Sequence, residues 1–347
     1  MMTRSRKIII TSVLMMLITI ALFIFFLTRK PYFHRGFEAR YPEIVPALLT
    51  NAPFDQYLIP DLENTETIHT KSGEVEIGQG MVPQGLALAE DWLIISAYSE
   101  EKKYHSVLYV LEKATGEHVK TIVLPETPHL GGLAYDPTAQ NLWLTTETPD
   151  DTAQLSAISL KQIAEDQFEK TKEPIQYLEE IALFDLEKAS FITYHKNNLV
   201  VGRFKEEHDG TLVSYPLDKQ GLPIQEKVSA PQEVRGADPV KEVVEITKEL
   251  QGVTFHEDQL LFSQSYGDKS SKLLFAPNNL TADPYDIDEE DYTKEITFPP
   301  YMEQIVAADD RLYVLFESSA APYRLKENAF PIDRVLVFDL PKLMKLK

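Results

Sequence analysis

Five positions in this chain carry small or oxygen-bearing side chains at matching places in a repeated phrase: Gln84, Gly131, Ser190, Gln251 and Glu303, the last followed by Gln304. Three carboxamides, a carboxylate and a hydroxyl are hard oxygen donors. Such a set suits calcium, with Glu303, Gln84 and Gln251 as ligands, or the hydroxyls of a sugar, better than a soft metal. The competing reading is that the amides simply bond to neighbouring strands, because buried polar groups must find partners in any fold. A second set falls at the ends of the following apolar runs: Tyr98, Glu147, Arg203, Gln264, Tyr266 and Glu317. Glu147 and Glu317 hold equivalent places and would act as an acid and a base on a glycosidic bond if they stood about 5 to 9 Å apart. Otherwise they are solvated rim charge. His129, in PHLGG, is the histidine best placed at the mouth of such a site, although a histidine without a placed partner is more often loop structure than catalyst.

These residues need elements to position them, and the chain repeats one. QGLALAEDWLIISAY (84–98), GGLAYDPTAQNLWLTTE (131–147), SFITYHKNNLVVGRF (190–204), QGVTFHEDQLLFSQSY (251–266) and EQIVAADDRLYVLFE (303–317) share a grammar. Each opens on a small or amide-bearing pair, runs apolar, turns on polar residues and runs apolar again through Leu93, Leu142, Leu199, Leu260 or Leu312. That is a β-hairpin signal. A third strand-like run follows every hairpin, as in SVLYVLEKATGE and SKLLFAPNNL, and fourth strands follow as HVKTIVL, QYLEEIALF, a poorly defined stretch near 226–246, and EITF. Four antiparallel strands repeated at this spacing are the pattern of a β-propeller. The expectation is an all-β propeller of five four-stranded blades, or six if residues 220–250 hide a divergent blade. The last repeat lacks a fourth strand, which the segment TETIHTKSGEVEIG before the first hairpin is placed to supply. In this frame His195 and His256 fall at the first turn position, where other repeats have Ala89, Asp136 and Ala308, so they read as turn residues and not as bases.

Ahead of the repeats, MMTRSRK (1–7) is a short basic segment and Ile8–Leu27 is a run without a charge, about long enough to span a bilayer core. Its bulky end lacks a small-residue cleavage site, so it reads as an uncleaved signal anchor, with the domain behind it outside the cytoplasm of a single-pass membrane protein. The proline-rich 28–64 then reads as a stalk and 65–347 as the propeller domain. The formal net charge of −20 opposes binding to nucleic acid. The absence of cysteine excludes disulfides, thiolate metal sites and cysteine nucleophiles. No GxSxG, P-loop or dinucleotide fingerprint is present.

The phrases QGLA, HLGGLAYD, QGVTF and TGEHVKTI resemble those of exported bacterial propellers of the broad strictosidine synthase and gluconolactonase (regucalcin-like) superfamily, over about residues 65–345. The resemblance implies a propeller and, in its lactonase-like members, a central divalent cation held by acidic and amide side chains. Glu303, Gln84 and Gln251 match that set in part. The functional expectation is a membrane-anchored binding or scaffolding module for a protein partner or a cell-envelope glycan. The alternative is a calcium-dependent lactonase or esterase-like hydrolase with its site on the propeller axis.

Overall fold

A computed structural model describes Met16 and residues 33–184, 186–224, 236–237, 243–278 and 286–346. It divides into a unit of Leu48–Lys345 and a smaller one comprising Met1–Ala47 with Leu346–Lys347. In the smaller unit, residues 33–40 are helical and the rings of Phe33, Phe37 and Tyr41 follow one another along it. The expected membrane segment, 8–27, lies outside the described residues apart from Met16. Among the described residues no helix is long and apolar enough to cross a membrane.

The larger unit is a five-bladed β-propeller. The inner hairpins are Met81–Ala89 with Trp92–Ser99, Leu133–Asp136 with Asn141–Glu147, Phe191–His195 with Asn198–Arg203, Leu250–His256 with Gln259–Gln264, and Met302–Ala308 with Arg311–Phe316. Third strands follow at Val107–Glu112, Ala153–Ser159, Gly210–Pro216, Ser271–Pro277 and Leu336–Asp339, and outer strands at His118–Val123, Glu179–Leu183, Val243–Ile246 and Lys294–Phe298. Gly236–Ala237 adds a parallel edge to the second blade. The stretch near 226–246 thus yields the outer strand of the third blade, and among the described residues there is no sixth blade.

Continuous apolar runs such as LIISA follow from this arrangement, because each sheet has a neighbouring blade on both faces. Leu93 and Ile95 face the fifth blade, packing with Tyr313 and Leu315, whereas Ile94 faces the second and packs with Leu142 and Leu144. Outer strands meet water, and the side chains of His118–Val123 run from exposed to buried.

Two expectations are corrected. The segment before the first hairpin does not pair with the last strand: among the described residues Thr65–Ile68 forms its ladder with Val75–Gly78, and Ile68 O accepts from His105 N–H at 2.9 Å. Closure falls to residues 48–59, which lie antiparallel to the last strand, with Leu49 N–H donating to Val337 O at 2.8 Å, Val335 N–H to Tyr57 O at 2.9 Å and Ile59 N–H to Asp333 O at 2.8 Å. The compact unit that holds the blades runs from Leu48 to Lys345. Pro53 and Pro60 made this stretch read as a stalk, but an outer edge needs only alternate N–H groups and tolerates proline. His195 and His256 are likewise the last residues of their strands, with the turns at the following pair; Lys196 and Asn197 both take positive φ, at 46° and 66°. His195 stacks on Phe255 of the next blade at 3.7 Å, and His256 lies 3.8 Å from Asp310 of the one after.

Candidate functional site

At the axis, the second residue of each repeat decides how close the blades come. Gly85, Gly132 and Gly252 hold it in three blades, and a Cβ on Gly132 would lie 2.6 Å from the backbone N of Ile192. The fifth blade has Gln304 there, and its side chain fills the space that the glycines leave. Its Oε1 accepts from Leu86 N–H at 2.7 Å and Leu133 N–H at 2.8 Å, while its Nε2 donates to Leu133 O at 2.7 Å and Ile192 O at 2.9 Å. One buried amide thus ties its own blade to three others. Gln304 is bound by backbone and does not line the cavity described next.

The strands that begin beside this plug and those that return to it end on one face, because a hairpin brings the start of its first strand to the end of its second. They surround a cavity of about 690 Å³ whose lining includes Gln84, Gln251, Glu303 and Glu317, the rings of Tyr98, Tyr266, Tyr301 and Tyr323, and His129 and Glu147 nearer the rim. Of the residues singled out above, Gly131, Arg203, Gln264 and Gln304 are not in this lining. Arg203 pairs with Glu187, and Gln264 donates to Lys248 O at 3.0 Å.

Glu303 and Glu317, from the two strands of the fifth hairpin, are hydrogen-bonded to each other. Gln84 Nε2 donates to Glu317 Oε2 at 2.9 Å. Glu303 is 2% exposed, and burial first, then the charge of Glu317, raises its carboxyl well above the ordinary range, so it carries the proton. Burial pushes Glu317 up to about 8, against the opposing hydrogen bonds from Gln84 and Glu303. The pair therefore holds at least one proton at neutral pH, since two carboxyls in contact cannot both ionise readily. Hydrogen-bonded carboxyls stand closer than the roughly 5 Å or more that a glycosidase pair requires, so this pair does not have that geometry. Glu147 is engaged elsewhere, by Lys102 at 4.0 Å and by the backbone N–H of His129, and burial raises its pKa.

Tyr98 is hydrogen-bonded to Tyr323, which also faces Tyr301 at 5.1 Å, and the His129 ring lies 4.2 Å from Tyr98. Burial and neighbouring acids raise both Tyr98 and Tyr323, so both stay neutral phenols. Surrounding protein, then Lys102 and Lys188, holds His129 below its ordinary value, and its ring, open to the cavity's water, is neutral. Tyr323 was not visible from the repeats because it arrives on the long connection between Phe316 and Leu336, the one part of the fifth blade outside the shared grammar.

The calcium expectation was tested against the donor set. Glu303, Gln84 and Gln251 supply three side chains toward the six to eight oxygens calcium takes, and Glu303 and Gln84 are already bonded to Glu317. Among the described residues no group of three or more His, Cys, Asp or Glu could hold a metal ion. The residues present do not fit such a site.

No family model matches the chain, and no curated protein matches it. Among solved structures it is similar to glutaminyl cyclase of Myxococcus xanthus, at 12% identity over 75% of this chain and 91% of that one, with a TM-score of 0.46. A Thermus thermophilus protein described as an oxidoreductase (glucose dehydrogenase) aligns at 12% identity over 81% and 94% of the two chains, with a TM-score of 0.41. A chain of a nidogen/laminin complex aligns at 14% identity over 74% and 84%, with a TM-score of 0.36. The assignment to the β-propeller class rests on the strand pairing of the chain itself.

Proposed function

We propose that the protein is a membrane-tethered, extracytoplasmic binding propeller that engages a protein partner or a cell-envelope glycan, an end group of which enters the axial cavity. One observation carries the reading: the cavity pairs an aromatic wall with a small, buried polar floor, the division of labour of a ligand site. The charge-free run Ile8–Leu27 supports the tether. Immobilised full-length protein in a nonionic detergent would be compared with Gln251→Trp, which fills the cavity at a side chain that makes no hydrogen bond among the described residues. Isolated envelope glycan and extracted envelope proteins would be the two ligand pools. Retention by wild type that is lost in the variant is the expected result. Equal retention by a folded variant would place binding outside the cavity. Protease accessibility of the propeller on intact cells tests the membrane orientation.

A further inference from the structure

We propose that the group entering the axial cavity is a primary ammonium, carried on a peptide side chain or an amino sugar, which docks between Glu303, Glu317 and the free oxygen of Gln84. The inference rests on the reading of the cavity as a binding site and adds the chemistry of what enters it.

The floor has acceptors that no N–H group serves. Glu303 is 2% and Gln84 5% exposed, and both line the cavity. Among the described residues no N–H group donates to Glu303, and none donates to Gln84 Oε1. Gln84 Nε2 is already committed, to Pro83 O at 3.1 Å and to Glu317. Acceptors in a cavity lining that no protein N–H serves suit a ligand that brings hydrogen-bond donors.

The floor also has two carboxyls without a cation beside them. The two lysines that line the cavity, Lys102 and Lys188, are held by Glu147 at 4.0 Å and Asp151 at 3.8 Å. Neither appears among the groups acting on Glu303 or Glu317. A buried carboxyl pair with no cation is unfavourable in the empty protein and attracts one from outside. The walls agree, since the faces of Tyr98, Phe204, Tyr266, Tyr301 and Tyr323 attract a cation and disfavour an anion. An ammonium offers three N–H donors to three acceptors, whereas a hydroxyl offers one donor and brings no charge to stabilise the carboxylates.

The rest of the ligand has a way out. A polar groove of about 520 Å³ adjoins the cavity through Lys102, Thr146, Glu147 and Asp151 and continues past Glu126 and Glu180. Its acidic residues outnumber its single lysine, which suits a cationic ligand. On binding, the ammonium takes the place of the proton between the two glutamates, and that proton leaves to solvent, so one positive charge replaces another.

The test is calorimetry on the full-length protein in detergent with lysinamide, glucosamine and glucose. One amine should bind and glucose should not. Affinity should rise by up to about tenfold per unit between about pH 5.5 and about pH 7.5, because only the deprotonated pair accepts the ammonium. Glu317→Gln should lower affinity at least about tenfold and remove the pH dependence, with Glu303→Gln as a second variant should the first not fold. Preference for lysinamide marks a peptide source and preference for glucosamine a glycan. Glucose binding as tightly as glucosamine, or amine binding indifferent to pH, overturns the ammonium while leaving the cavity as a ligand site. Failure of all three probes also overturns it, and the Gln251→Trp comparison then decides separately whether the cavity binds anything.

Discussion

Gln304→Ala should be the most damaging single amide truncation in the molecule. The side chain is 1% exposed and serves four backbone groups on three other blades, at 2.7 to 2.9 Å. Removing it leaves two N–H groups and two carbonyls at the axis without their partner. Each buried group left unsatisfied costs about 1 to 3 kcal/mol, and carbonyls, with a second lone pair, fall at the lower end. Water entering the vacated axis would recover part of this, so the expected loss is on the order of 3 to 6 kcal/mol, comparable to the whole stability of many domains at roughly 5 to 15 kcal/mol. Urea unfolding followed by the fluorescence of Trp92 and the fully buried Trp143 gives the measurement, with Gln264→Ala as control because that amide makes a single exposed bond. The control should lose less than about 1 kcal/mol. A loss of that same small size for Gln304→Ala would refute the account of the axis as a hydrogen-bonded plug.

The Glu303 and Glu317 carboxyls are raised by burial, so the folded state binds more protons than the unfolded one, and their contribution to stability is present below the ordinary carboxylate pKa and lost as pH rises. Wild type should therefore weaken between about pH 4.5 and pH 8, by an amount on the order of 2 to 5 kcal/mol, and Glu317→Gln should flatten the curve; parallel curves in a denaturant series would show that the pair is not desolvated. Gly132→Ala puts a Cβ 2.6 Å from the backbone N of Ile192, which cannot rotate away, and should cost on the order of 2 kcal/mol or more by thermal unfolding, a near-neutral result showing that the blades are not in close contact there. Calcium should leave the melting temperature unchanged relative to chelator. A shift lost in Glu303→Gln would restore the calcium-dependent hydrolase, since a ligand at 100 times its Kd stabilises by about 2.7 kcal/mol.

The register of the blades was legible because a hairpin's signals are local: Leu93, Leu142, Leu199, Leu260 and Leu312 sit at matching distances past their turns, and the strands fall where those positions put them. Ring closure was not, because 48–59 and the last strand are neighbours only through hydrogen bonds between distant parts of the chain, and edge pairing leaves no pattern in side chains. The carboxyl pair shows the same limit. Glu147 and Glu317 look like partners by repeat equivalence, but equivalence spreads positions around a ring. The bonded partner of Glu317 is Glu303, because the antiparallel ladder pairs Met302 with Phe316 and returns the end of one strand to the start of the other.

By itself, then, the sequence determined the propeller class, the five hairpins and the two groups of residues from which a site could be drawn, since each follows from periodicity and turn chemistry within some fifteen residues; that 226–246 holds no sixth blade took the strand pairing. Only the tertiary structure decided that Gln304 is spent on the backbone while Gln84 keeps a free oxygen, and that two of many glutamates share a proton. Both depend on which atoms lie within hydrogen-bond distance across the axis, and glycines at 85, 132 and 252 set that distance by having no side chain to hold the blades apart.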